Sequence, residues 1–237
     1  MSGAAVYGDV YRMVGLALKV KGEKKHQRIK LPINDAPLLR ALNVDFTASF
    51  EEGIKQRPLL HGDIRSLDAI HFDEEKLQPL YDTIRFLKAE GEEVLVDVSG
   101  IFYIMSVFLP FESWVKATKD DPQAFHNLIE EITHILQNYY LKIDEAGADY
   151  ICMADGISIM PIVGKDFYQK NCGPALANLI RIQEVFKHAH LLICPKTFTS
   201  LKRFGALEES KKGKIHPTNC SITTKDALIG KPHQLIL

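Results

Sequence analysis

The chain has 237 residues, 46% hydrophobic and 25% charged, with a formal net charge of -1. That is ordinary globular composition and enough chain for one substantial core, so a single domain is expected. The near-neutral balance excludes a broad nucleic-acid-binding face, and no run of ~20 apolar residues exists to span a membrane as a helix.

From the amino terminus, residues 4–18 have the spacing of an amphipathic helix. Asp9 and Arg12 stand where a secretory signal needs an unbroken apolar core, so the cytoplasm is the expected location. Residues 19–35 are polar, are broken by Gly22 and Pro32, and predict a solvated arm that includes the basic run from Lys19 to Arg28. The whole chain, 1–237, is expected to form a single barrel-like domain, with an amino-terminal helix and polar arm over 1–35 and the β/α barrel region over 36–237. Ala36 to Leu42 predicts a short helix and Val44 to Phe50 a strand, while residues 53–72 give no clear pattern. Asp73 is placed to cap a helix whose apolar positions Leu77, Leu80, Tyr81, Ile84 and Leu87 recur at helical spacing until Gly91.

Val94 to Val98 reads as a strand that feeds the turn Ser99-Gly100-Ile101-Phe102. Met105 to Trp114 is apolar and is expected to pack over one end of the sheet. Asp121-Pro122 opens a long helix, with proline at the first helical position, and Gly147 closes it in a left-handed cap. Tyr150 to Met153 is a short apolar run, the pattern of a strand buried on both faces, and it stops at Ala154-Asp155-Gly156. Lys165 to Lys187 is helical, kinked or restarted at Cys172-Gly-Pro174, and Leu191 to Cys194 is the next buried strand. Thr199 to Leu207 predicts one or two helical turns, and Ile215–Ile222 and His233–Leu237 are weaker strand candidates.

Strand and helix in alternation predict an α/β fold with a parallel sheet, of the TIM (β/α)8 barrel type. Only about forty residues follow Cys194, too few for two full βα units, so the barrel is expected to be shortened or incomplete. Unpaired strand edges would then call for a second chain, a homodimer. In parallel α/β folds ligands gather at the carboxyl ends of strands, which singles out Asp155. Its alternatives are a substrate-orienting carboxylate, a helix cap, or a carboxylate bonded to backbone.

The order of these pieces resembles the uroporphyrinogen decarboxylase superfamily: a strand running into SGIF, a DP-initiated helix, Glu145-Ala-Gly-Ala-Asp149, the Ala154-Asp155 strand end, Val163-Gly-Lys-Asp-Phe167, then LLIC. The resemblance covers residues 74–205 and implies a TIM barrel with its site in the barrel mouth. It also offers two enzymatic branches. Decarboxylases hold a tetrapyrrole with an amino-terminal arginine-rich motif, whereas Arg12, Arg28, Arg40, Arg57 and Arg65 are scattered here. Cobalamin-dependent methyltransferases pass a methyl group from a corrinoid protein to a thiol, with zinc held by His-x-Cys and a distant cysteine. The second branch matches better, with Cys194 as the zinc ligand or nucleophile and Cys220 standing in for the second cysteine. Leu192 occupies the histidine position, and His190 lies ~13 Å from Cys194 along a strand, too far to replace it.

Four cysteines without a CxxC pair are expected to be free thiols or metal ligands in a reducing compartment. The expected catalytic pair is Asp155 and Cys194, delivered to one cavity by adjacent strands. Asp97, Phe102, Tyr103 and Lys196 are the expected substrate contacts, Lys196 for an anion. Asp97 and both aromatics also have a structural reading. The expected function is methyl transfer to a thiol from a small donor or a corrinoid carried by a partner protein. The alternatives are porphyrinogen decarboxylation and a non-catalytic ligand- or partner-binding barrel.

Overall fold

The structure, a computed structural model, describes residues 8–31, 36–44, 46–49, 53–56, 64 and 70–207. The elements in chain order are α1 (Val10–Lys24), β1 (Ile29–Leu31), α2 (Ala36–Ala41), β2 (Phe46–Ser49), β3 (Gly53–Gln56), α3 (Gln78–Ala89), β4 (Val94–Ser99), α4 (Ile101–Phe108), α5 (Phe111–Asp120) and α6 (Pro122–Glu145). Then follow β5 (Tyr150–Ala154), α7 (Met160–Val163), α8 (Lys165–Phe167), α9 (Gly173–Ile180), β6 (His190–Ile193) and α10 (Pro195–Phe204). Four strands form one parallel sheet in the order β1-β4-β5-β6, and β2 and β3 form a separate antiparallel pair. Helical connections between parallel neighbours make this a TIM-type barrel in shortened form among the described residues.

Several local expectations are corrected. The first helix starts later than residue 4 and runs to Lys24, with Asp9 as its cap accepting from the Arg12 N–H. The polar arm contains a strand: Ile29-Lys30-Leu31 pairs in parallel with Val94, Leu95 and Val96. Its two apolar residues are buried, and the lysine between them hid the pattern. Asp73 makes no side-chain cap bond, and the helix opens instead through a tight turn over Glu74–Leu77. The apolar stretch after Phe102 is two helices, α4 and α5, broken at Pro110.

Other features follow the sequence closely. Asp121 caps α6 by accepting from the Ala124 N–H, and Gly147 sits at φ +93 just beyond its end. Pro174 has no N–H to donate, and the helix widens into a π turn over Tyr168–Cys172 before restarting as α9. Two of the three carboxylates in the segment Asp144–Asp149 are clamps. Asp144, 1% exposed, accepts from the N–H groups of Lys187, His188 and Ala189 at 2.7–2.9 Å, tying α6 to the turn before β6. Asp149 accepts from Val94 N–H and Lys88 Nζ, both at 2.7 Å, and so fixes the start of β4 against β5.

The pleat sorts the sheet into two faces. Ile29, Leu31, Val94, Val96, Val98, Ile151, Met153, Leu191 and Ile193 join the large core shared with the helices. The opposite face has its own small cluster of Leu95, Cys152 and Leu192, with Tyr150 against it. Helices cover the first face, so the second is the one that a barrel turns inward.

Candidate functional site

Two places at the carboxyl edge of the sheet carry chemistry, and they lie on different faces. The first surrounds Asp155. Continuing the alternation past Ile151 and Met153, its side chain turns toward the helix layer and is 0% exposed. Oδ2 accepts from the Phe102 N–H at 2.8 Å. Gly100 begins α4 without a capping side chain of its own, so Asp155 caps that helix from a neighbouring strand. The Asp155 N–H donates to Thr197 Oγ1 at 3.1 Å, which joins the same strand end to α10.

The Ser158 hydroxyl donates to the Asp155 carbonyl at 3.4 Å, and carboxylate Oδ1 has no hydrogen-bond partner among the described residues. Burial pushes the Asp155 carboxyl up to about 7; donors from Phe102, Ser158 and Tyr103 oppose this incompletely. Burial, and after it the Asp155 charge, push the thiol of Cys172 up. Tyr168 is raised likewise by burial, Cys172 and Asp155, and its hydroxyl is buried without a hydrogen-bond partner among the described residues.

The second place is the inward face. In register, Asp97 stands opposite Cys152, and Cys152 opposite Leu192. Lys30, opposite Leu95, reaches diagonally to form an ion pair with Asp97. The two side chains keep 32% and 31% exposure. Arg28 lies 4.8 Å over the Tyr150 ring and pairs with Glu93 at 2.6 Å; Tyr150 also meets His190, ring to ring, at 6.0 Å.

Each expected site residue now has a place. Asp155 and Cys194 each follow the end of one of two neighbouring strands, and continuing the strand alternation sets Asp155 with Ile151 and Met153 and Cys194 with Leu192. Cys194 is buried at the start of α10, its N–H donating to the Met153 carbonyl at 2.8 Å, and it is disulfide-bonded, against the expectation of a free thiol or metal ligand. Cys152 and Cys172 are free. Phe102 is a core residue, 0% exposed and 5.8 Å from the Trp114 ring. Tyr103 is half-buried and packed against the core. Asp97 is on the inward face, and Lys196 is exposed in the first turn of α10. Cys220, like the two strand candidates after residue 208, lies outside the described residues.

Lys30 was missed. The clue available in the sequence was its position between Ile29 and Leu31, a period of two inside a stretch dominated by charge. Among the described residues no three His, Cys, Asp or Glu side chains gather as metal ligands. With Leu192 offering no donor and the Cys194 sulfur in a disulfide, the described residues do not fit a zinc site. Also among them, no helix is long and apolar enough to cross a membrane.

Comparison with known proteins agrees with this architecture. The family model for uroporphyrinogen decarboxylase (URO-D) matches residues 38–203. A uroporphyrinogen decarboxylase from Chlorobaculum parvum is 26% identical over 172 residues, which is 68% of this chain and 48% of that protein. The chain thus spans about half the length of the curated relative it matches. Among solved structures, a methyltransferase from Methanosarcina mazei superposes with a TM-score of 0.66 at 15% identity, covering 81% of this chain and 59% of the other. At that identity the likeness is one of fold.

Proposed function

We propose, since the chain belongs to the uroporphyrinogen decarboxylase family, that it serves methyl transfer to a thiol at the inward face of the sheet. The observation that carries this reading is the charge pattern of that face. A tetrapyrrole with eight carboxylates needs several cations free to pair with them. Here Lys30 is held by Asp97 and Arg28 by Glu93, and the guanidinium of Arg28 also covers Tyr150. A small substrate suits such a surface better than a polyanion does.

The donor is a small methylated molecule or a corrinoid carried by a partner protein. In the transfer a new C–S bond forms on the acceptor thiolate. The donor keeps the electron pair of the bond that breaks, and the thiol proton leaves to solvent. No step is assigned to a metal. Lys30 and Asp97 would hold the substrate, and the apolar floor of Leu95, Cys152 and Leu192 would exclude water beneath it. Lys196 on the rim remains the residue proposed for an anionic group.

Two other readings have a specific observation each. The family match and the curated relative's name favour decarboxylation of a porphyrinogen. The sealing of Asp155 favours a barrel that binds without catalysis. The deciding experiment is an assay of methyl transfer from methylcobalamin to a panel of thiols, run beside uroporphyrinogen turnover. Transfer that is lost in Lys30→Met and Asp97→Asn supports the proposal. Porphyrinogen turnover without transfer overturns it, and inactivity in both assays supports the binding barrel.

A further inference from the structure

The outer side of α1 carries an apolar stripe. Tyr11, Gly15, Leu18 and Gly22 recur at spacings of four and three residues, so they line one side of the helix along its length. Tyr11 is 79% exposed and Leu18 43%. The neighbouring α3 widens the surface with Phe86, 39% exposed, whose ring meets that of Tyr11 edge-on at 6.4 Å. Ala89, one turn further along α3, is exposed as well. Among the described residues five large apolar side chains are exposed, and three of them gather on these two adjoining helices. A patch of that kind marks an interaction surface.

The two glycines give the stripe its relief. Both are exposed, and no atom of the described residues lies within 4 Å of where a Cβ would stand on either. Neither has the positive φ that calls for glycine. Glycine weakens a helix interior relative to alanine, and nothing within one chain offsets that here. What the glycines provide is two hollows that alternate with two knobs. Positions 11 and 22 are equally far from the midpoint of the stripe, and so are 15 and 18. A second α1 laid antiparallel on the first therefore sets Tyr11 against the partner's Gly22 and Leu18 against the partner's Gly15, twice each by symmetry. Large meets small at every step, which is how facing helices interlock. The charges agree with this register. Arg12 and Glu23 lie on one flank of the stripe at its opposite ends, so the antiparallel copy brings the partner's Glu23 beside Arg12. Both side chains are solvent-exposed, and within the chain they make only surface pairs with Asp9 at 3.7 Å and Lys19 at 3.8 Å.

We propose that this face is the interface of a homodimer, in which two copies of α1 pack antiparallel about a two-fold axis that passes between Gly15 and Leu18, with Phe86 at the side. The second copy sits on the helix layer, not at the strand edges. The contact is at the small end of specific interfaces, so the dimer is reversible, with a Kd on the order of 10 µM.

The test is sedimentation velocity of the full chain from about 1 to about 200 µM, a range that brackets this Kd. The parent should pass from monomer to dimer across it. Gly15→Gln combined with Gly22→Gln fills both hollows and should weaken dimerisation at least about tenfold. The urea midpoint measured on dilute, monomeric protein should stay or rise in that variant, because glutamine suits a helix better than glycine. Arg12→Glu and Glu23→Arg should each weaken self-association about threefold or more, the scale of exposed ion pairs lost at both ends. An equimolar mixture of those two variants should form a heterodimer tighter than either homodimer, since opposite charges then face each other across the axis. That mixture tests the antiparallel register without relying on the glycine variants. A parent that stays monomeric at about 200 µM, a dimer that the two glutamines leave intact, or a mixture no tighter than its components overturns the proposal.

Discussion

Asp155 and Gly100 touch so closely that each dictates the other. A Cβ on residue 100 would stand 2.5 Å from Asp155 Oδ2 and 2.6 Å from its Cβ. The Gly100 N–H donates to the Ala154 carbonyl at 2.9 Å, so the glycine cannot move off without breaking the link between β4 and β5. Gly100→Ala should therefore destabilise the fold by about 1–3 kcal/mol, the range for overpacking a tight site. Urea unfolding at neutral pH measures this, and an unchanged midpoint would contradict the contact.

The raised carboxyl of Asp155 has a pH signature. Its ordinary value is 3.8 and the folded protein holds it at about 7. Between those values the folded state keeps a proton that the unfolded chain has released. The group's stabilising contribution is therefore fully present below 3.8 and is lost as pH rises to about 7, at up to about 1.4 kcal/mol per pH unit. Asp155→Asn keeps an acceptor for the Phe102 N–H and removes the charge. Its stability should change less between pH 5 and 8 than that of the parent, as read from urea midpoints at each pH. A parallel pH dependence in the two proteins would show that this carboxyl does not titrate as the burial requires.

Asp144 holds three main-chain N–H groups, those of Lys187, His188 and Ala189. Asp144→Ala should cost about 2–4 kcal/mol, since stranding each amide costs about 1–3 kcal/mol where it is buried and less where water enters. Hydrogen exchange should accelerate at Lys187, His188 and Ala189 ahead of the rest of the sheet. Asp144→Asn, with one acceptor oxygen kept, should fall between the two.

Cys172 is fully buried, and both burial and the nearby Asp155 push its thiol up. It should resist alkylation at neutral pH until the protein unfolds. Mass spectrometry after brief treatment with iodoacetamide, with and without urea, distinguishes this from an accessible thiol. In the same experiment Cys194 should be labelled only after a reductant has opened its disulfide.

A zinc analysis belongs beside that experiment. Protein reduced and dialysed against zinc, then freed of excess metal, should retain none if only the described donors are available. Stoichiometric retention that disappears in Cys194→Ser would establish a site completed from residues beyond them.

The sequence was most legible where a single local rule governs. Asp121-Pro122 starts α6 and Gly147 ends it because capping and left-handed φ are local needs. Val94–Val98 and Tyr150–Met153 read as buried strands because nothing but a covered parallel sheet accepts such runs. The same uniformity made the faces illegible. When both faces of a strand are apolar, the alternation that would separate inside from outside disappears, and Asp155 looks as suited to the mouth as Cys194. β1 was lost for the opposite reason: one lysine among many concealed a three-residue strand whose pairing partner lies more than sixty residues away.

What the sequence determined by itself was the alternation of strands and helices, and with it a barrel-type parallel sheet and family membership, because periodicity and caps are written within a few residues of where they act. Which face of that sheet turns inward was decided only in three dimensions. The helices that cover Ile151 and Met153 also enclose Asp155 and give it the end of α4 to cap. The opposite face is left with Lys30 and Asp97, from strands far apart in the chain, as neighbours.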